Sequence, residues 1–149
     1  MLHSPLVFLH ILTIFAVVAF HSGPQILTLA AARTGQESAV GPIARMYGRT
    51  GRAVPPLGIL GALLGIGAGL TGGFNLLAPW LLIAYALFAA LIIYGGVVSA
   101  PYLVRLGDGT RENRSDWGEL LGSRLTLIVA IDALILGLII ADMVLKPFG

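Results

Sequence analysis

The sequence predicts an all-α integral membrane protein, a four-helix bundle folded as a single transmembrane domain over residues 1–149. Three observations carry that expectation. Only 11% of the residues are charged and 57% are hydrophobic, whereas soluble domains carry about 25% charged residues. The apolar residues fall in four long blocks, Leu6–Ala32, Val54–Leu70, Leu76–Leu103 and Leu120–Leu145. Each reaches or exceeds the roughly 17–25 residues that cross a hydrocarbon core of about 30 Å. The blocks are continuous rather than alternating with period two, which argues against a transmembrane β-barrel.

These blocks predict helices over about residues 5–32, 53–72, 76–104 and 118–146. No Lys or Arg precedes the first apolar run, so helix 1 is expected to be permanent rather than a cleaved leader. Cysteine is absent, which removes disulfides, thiolate metal sites and a Cys nucleophile. No P-loop, dinucleotide fingerprint or nucleophile–base constellation occurs, and nothing points to nucleic acid.

The cations set an expected orientation. Arg33, Arg45, Arg49 and Arg52 flank the loop between helices 1 and 2, and Arg105, Arg111, Arg114 and Arg124 flank the loop between helices 3 and 4. The remaining connection, TGGFNLLAPW, is uncharged, and Lys146 alone follows helix 4. Short cytoplasmic loops hold the excess of Lys and Arg. The termini are therefore expected outside and both charged loops in the cytoplasm. Arg45, Arg49 and Arg52 recur at i, i+4 and i+7, one face of a helical turn, suited to lipid headgroups or a soluble partner. Asp116 or Ser115 is a candidate cap for helix 4.

Helix 2 is rich in glycine. Gly61, Gly65 and Gly69 repeat every four residues, with Gly58 and Gly72 near the same stripe. Close approach at small residues replaces the hydrophobic drive that helices lack in lipid. The stripe predicts packing against another helix of the chain or an oligomer seam. In helix 3, Trp80 and Tyr102 fit interfacial anchors.

Polar residues inside the apolar blocks are the candidate site. His3, His10 and His21 share one stripe of helix 1, because separations of seven and eleven residues return to nearly the same direction. Helix 4 carries Asp132 at its middle and Asp142 near its outer end. Ionisable residues at mid-membrane usually face the bundle interior or mark function. Antiparallel contact of helices 1 and 4 would place Asp132 at the depth of His21 and Asp142 at that of His10. Alternatively, Asp142 pairs with Lys146 one turn on. Gly23-Pro24 should kink helix 1 beside His21, freeing the Phe20 carbonyl for Ser22 or a water.

Three readings of these groups stand side by side. His–Asp hydrogen bonds hold two helices together; or His10 or His21 ligates a b-type haem or metal; or the pair relays a proton or ion. With every histidine on helix 1, a bis-His haem would need a second chain, and a one-His site would need Met or water.

The opening LVFLHILTIFAVVAFHSGP, the basic Gly/Arg loop and the Gly-rich second helix resemble small four-helix bacterial integral membrane proteins that begin L-x-x-L-H-I-L, a domain of unknown function. More distantly, the chain resembles the four-helix membrane protoporphyrinogen oxidases, which open on an L-H-I helix and bind haem through a helix 1 histidine. That likeness implies His10 as the haem ligand. The leading expectation is a non-catalytic membrane protein, a homo-oligomer or a subunit of a larger membrane complex, with a buried His/Asp seam. The alternatives are a b-type haem redox protein and a proton-coupled small carrier.

Overall fold

The structure, a computed structural model, describes residues 2–112 and 121–146. Those residues form helices α1 (His3–Arg33), α2 (Glu37–Thr50), α3 (Val54–Thr71), α4 (Pro79–Tyr94), α5 (Ala100–Glu112) and α6 (Ser123–Leu145), with one turn of π-helix, Gly95–Ser99, joining α4 to α5. Four segments are long and apolar enough to cross a membrane: His3–Arg33, Val54–Thr71, Pro79–Gly109 and Ser123–Leu145. Their outward faces carry large apolar side chains, Phe15 and Val97 being each 70% exposed. Such a continuous belt suits lipid and not water.

The spanning helices start and stop where local chemistry directs. Pro55 and Pro79 stand in the first turns of α3 and α4, where a missing N–H costs nothing. Between α3 and α4 the chain reverses through Gly73, at φ +73°, a left-handed conformation open to glycine at little cost. The Asn75 side-chain oxygen then accepts the Leu77 N–H at 3.0 Å. Leu121 and Gly122 form a turn, so α6 begins at Ser123 rather than near residue 118, and Gly122 occupies the cap position. The expected caps Asp116 and Ser115 lie outside the described residues.

α2 is the element the sequence reading did not predict as a helix. Val40, Ala44 and Tyr47 recur at i, i+4 and i+7 and form its buried face. They join Ala31, Leu103, Leu106 and Leu125 in the main hydrophobic core. This core sits at the charged end of the bundle, between α1, α2, α5 and the start of α6. Arg45 locks α2 in place: its Nη1 donates to the Gly107 carbonyl at 2.8 Å. A methyl group at Gly107 would stand 2.8 Å from Arg45 Cγ. Arg45, Arg49 and Arg52 are all exposed, and Arg45 is in addition engaged within the chain through Gly107.

The glycine stripe of α3 packs on the histidine stripe of α1. Added methyl groups would stand 2.9 Å from Ile14 at Gly61, 2.8 Å from the His10 ring at Gly65 and 2.6 Å from the His3 ring at Gly72. Gly69 instead receives Leu76, and Gly58 lies against Phe88. Of the two expectations for this stripe, packing within the chain is the one observed.

Candidate functional site

His21 is the centre of a buried polar cluster drawn from four elements. Its own helix supplies Gln25 one turn on, α2 supplies Tyr47, the π-turn supplies Ser99 and α6 supplies Asp132. All five are nearly inaccessible, at 4%, 1%, 3%, 0% and 2% exposure respectively. The Tyr47 hydroxyl lies 3.0 Å from His21 Nδ1. On the other side of the ring, His21 Nε2 lies 3.4 Å from Asp132 Oδ1, the spacing of an ion-pair contact. Asp132 Oδ2 accepts the Ser99 hydroxyl at 2.9 Å. The expected rung between His21 and Asp132 is present.

Glycine makes room for it. A methyl group at Gly95 would stand 2.7 Å from His21 Cε1, so the imidazole edge lies directly on the backbone of the π-turn. The π-turn closes i→i+5 bonds and is wider than an α turn. It sets Gly95 against the ring and Ser99 on the carboxylate, both toward the same seam.

The chemistry of the ring follows from its neighbours. Burial and the Asp132 charge push the Tyr47 phenol up to about 12, so it keeps its proton near neutrality and can donate to a bare Nδ1 or accept from a protonated one. A bare Nδ1 leaves the ring proton on Nε2, on the side of Asp132, whose Oδ1 makes no hydrogen bond among the described residues. The Gln25 side-chain nitrogen lies 3.3 Å from the same Nε2, and two N–H groups cannot both donate across that gap. With Nε2 protonated, Gln25 turns its oxygen to the ring; with Nε2 bare, Gln25 donates and the ring proton moves to Nδ1, facing the Tyr47 oxygen. As imidazolium, His21 donates to Tyr47 from Nδ1 and to Asp132 or Gln25 from Nε2. Each state of the ring has a partner on both sides.

Pro24 is accommodated without a break, and α1 continues as one helix. The carbonyl it frees belongs to Phe20, and the donor comes from α2: the Thr50 hydroxyl lies 3.3 Å from it. Of the expected donors, Ser22 does not serve: its Oγ is buried without a hydrogen-bond partner among the described residues. Thr28 donates to the Pro24 carbonyl at 2.6 Å. Gly23 has open space around its α-carbon.

The second rung is not formed. His10 Nδ1 donates to the Gly61 carbonyl at 2.7 Å, and His3 Nδ1 donates likewise to the Ala68 carbonyl at 3.0 Å. Both histidines therefore pin α1 to α3 rather than to α6. Asp142 is 5% exposed, and neither of its carboxylate oxygens has a hydrogen-bond partner among the described residues. Nor does it pair with Lys146, whose ammonium lies over the rings of Phe74 and Trp80 at 5.3 and 5.4 Å. Trp80, expected as an interfacial anchor, is 8% exposed and belongs to this stack.

A cavity of about 500 Å³ separates the α1/α3 pair from the α4/α6 pair in the half of the bundle away from α2. His3 and Lys146 line one end of it and His10 lies on its wall. Its inner end includes Val17, Leu91 and Leu136, which stand four residues from His21, Gly95 and Asp132 respectively. The cavity thus ends one helical turn, about 6 Å, from the polar cluster.

A haem iron or other metal needs a bare ring nitrogen with space in front of it. His21 offers neither, with partners at both nitrogens and backbone against its edge. His10 keeps one nitrogen uncommitted. Among the described residues, no three His, Cys, Asp or Glu side chains gather as a metal site.

Four apolar helices of spanning length put the chain among the multi-pass helical membrane proteins. Comparison with family models, curated proteins and solved structures finds no match.

Proposed function

We propose that the chain is a non-catalytic protein of the bacterial cytoplasmic membrane in which the His21–Asp132 pair binds and passes a proton, the role of a small proton-coupled membrane component. The charged end, with α2, faces the cytoplasm in this reading, following the distribution of arginines between the two ends. One observation carries it: His21 Nε2 and Asp132 Oδ1 face each other at 3.4 Å, buried, with a hydroxyl on each outer side of the pair.

A purely structural pair would need one hydrogen bond between two helices, of about 0.6 kcal/mol in membrane proteins. Here four elements converge on one imidazole, and insertion of an acid at mid-membrane costs roughly 2.5–3.5 kcal/mol. Tyr47, His21, Asp132 and Ser99 are linked in that order by the contacts at 3.0, 3.4 and 2.9 Å. The cavity ends about one helical turn from His21 and Asp132. His21 can hold a proton on either nitrogen, and Gln25 follows whichever is used.

The reading is tested in vesicles with an imposed pH gradient and an internal pH dye. Wild-type protein should collapse the gradient faster than empty vesicles do. Asp132→Asn and His21→Phe should fall to the rate of empty vesicles, while Asp142→Asn keeps the wild-type rate. Unchanged rates in both Asp132→Asn and His21→Phe would refute it.

A further inference from the structure

The cavity is separate from the proton site and has its own recognition chemistry. We propose that it binds a single-chain anionic amphiphile of the fatty-acid carboxylate class, tail inward and head at the Lys146 end. Its volume of about 500 Å³ lies within the roughly 300–1,000 Å³ range of small-ligand sites. The wall is apolar apart from His3, Trp80 and Lys146 at one end and His10 and Tyr85 further in. From Lys146 to Leu136 the α6 wall runs about 15 Å at 1.5 Å per residue. That is half of a hydrocarbon core of about 30 Å, the length one leaflet gives an acyl chain.

The Lys146 end selects the charge of the head. Lys146 is held there by Phe74 and Trp80, and among the described residues no carboxylate lies in ion-pair contact with it. Asp142, one turn back, is buried and does not line the cavity. A cation so placed attracts an anion. His3 lines the same end with Nδ1 committed to the Ala68 carbonyl. Its Nε2 is left to accept from a protonated carboxyl or, in the imidazolium form, to donate to a carboxylate. A cationic amphiphile would meet Lys146 instead of a counter-charge.

Trp80 lies on the cavity wall, and Trp117 is the other tryptophan of the chain. In a Trp117→Phe background reconstituted into zwitterionic nanodiscs, a brominated fatty acid should quench Trp80 saturably. The fatty alcohol of equal chain length should bind about tenfold more weakly, the factor that corresponds to about 1.4 kcal/mol. Lys146→Ala should weaken the acid by about the same factor, and Lys146→Arg should retain it. Phosphatidylglycerol, an anionic lipid with two chains, should compete poorly. Non-saturating quenching, equal affinity for the alcohol, or equal competition by phosphatidylglycerol would overturn the proposal. A reducible Soret band in purified protein that vanishes in His10→Ala would give the cavity to a porphyrin and overturn it as well. None of these readouts depends on proton flux, so this proposal and the proton reading fail separately.

Discussion

The Thr50 hydroxyl lies 3.3 Å from the carbonyl oxygen of Phe20, the group that Pro24 leaves without an intrahelical donor. A residue of α2 thereby repairs a break in α1, and the repair ties the two helices together beside His21. Thr50 also lies 3.2 Å from the Met46 carbonyl, so its one proton is shared. Thr50→Val should cost roughly 0.6–1 kcal/mol in unfolding from mixed micelles. In a Pro24→Ala background the residue 24 N–H can serve the Phe20 carbonyl, and the same substitution should cost little. Equal costs in the two backgrounds would contradict the assignment.

Adjacent glycines in the π-turn should behave differently. A methyl group at Gly95 meets His21 Cε1 at 2.7 Å, whereas one at Gly96 meets nothing within 4 Å. Gly95→Ala should destabilise by about 1–3 kcal/mol, the usual cost of overpacking, and should abolish the proton flux by displacing the imidazole. Gly96→Ala should leave both unchanged. Thermal unfolding and vesicle assays on the two variants decide this.

The α1–α3 seam makes a similar forecast. Gly65→Ala forces a methyl to 2.8 Å from the His10 ring and should cost about 1–3 kcal/mol. Combined with His10→Ala, which removes the obstructing ring, the substitution should become nearly neutral. Contacting residues show such non-additivity, and simple addition of the two costs would place the ring elsewhere. Gly137→Ala, with open space around it, serves as the neutral control.

The spanning helices were legible because length and continuous apolarity act locally. The His21–Asp132 rung was legible because antiparallel helices of known polarity match depths by counting. Counting gives depth and not rotation, so the same register wrongly paired His10 with Asp142. The tight fit of His10 and His3 on glycines 65 and 72 turned both rings to α3 instead. α2 is less legible, because Arg45 and Arg49 mark only its exposed face. The apolar residues Val40, Ala44 and Tyr47, offset on the same helical period, mark the opposite face and were the available signal. Gln25, four residues from His21, was equally visible as a same-face neighbour. Ser99 was not: its place depends on the π-turn, and only the pair Gly95-Gly96 hints at an irregularity there.

The central claim is that a proton passes between His21 and Asp132 across their 3.4 Å contact. Infrared spectra of the protein in lipid, recorded across pH, read buried carboxyl groups directly through the carbonyl stretch of the protonated form. The account predicts a pH-responsive carboxyl band that is missing from Asp132→Asn and retained in Asp142→Asn. A band that persists in Asp132→Asn, or a wild-type spectrum with no pH-responsive carboxyl, would contradict it.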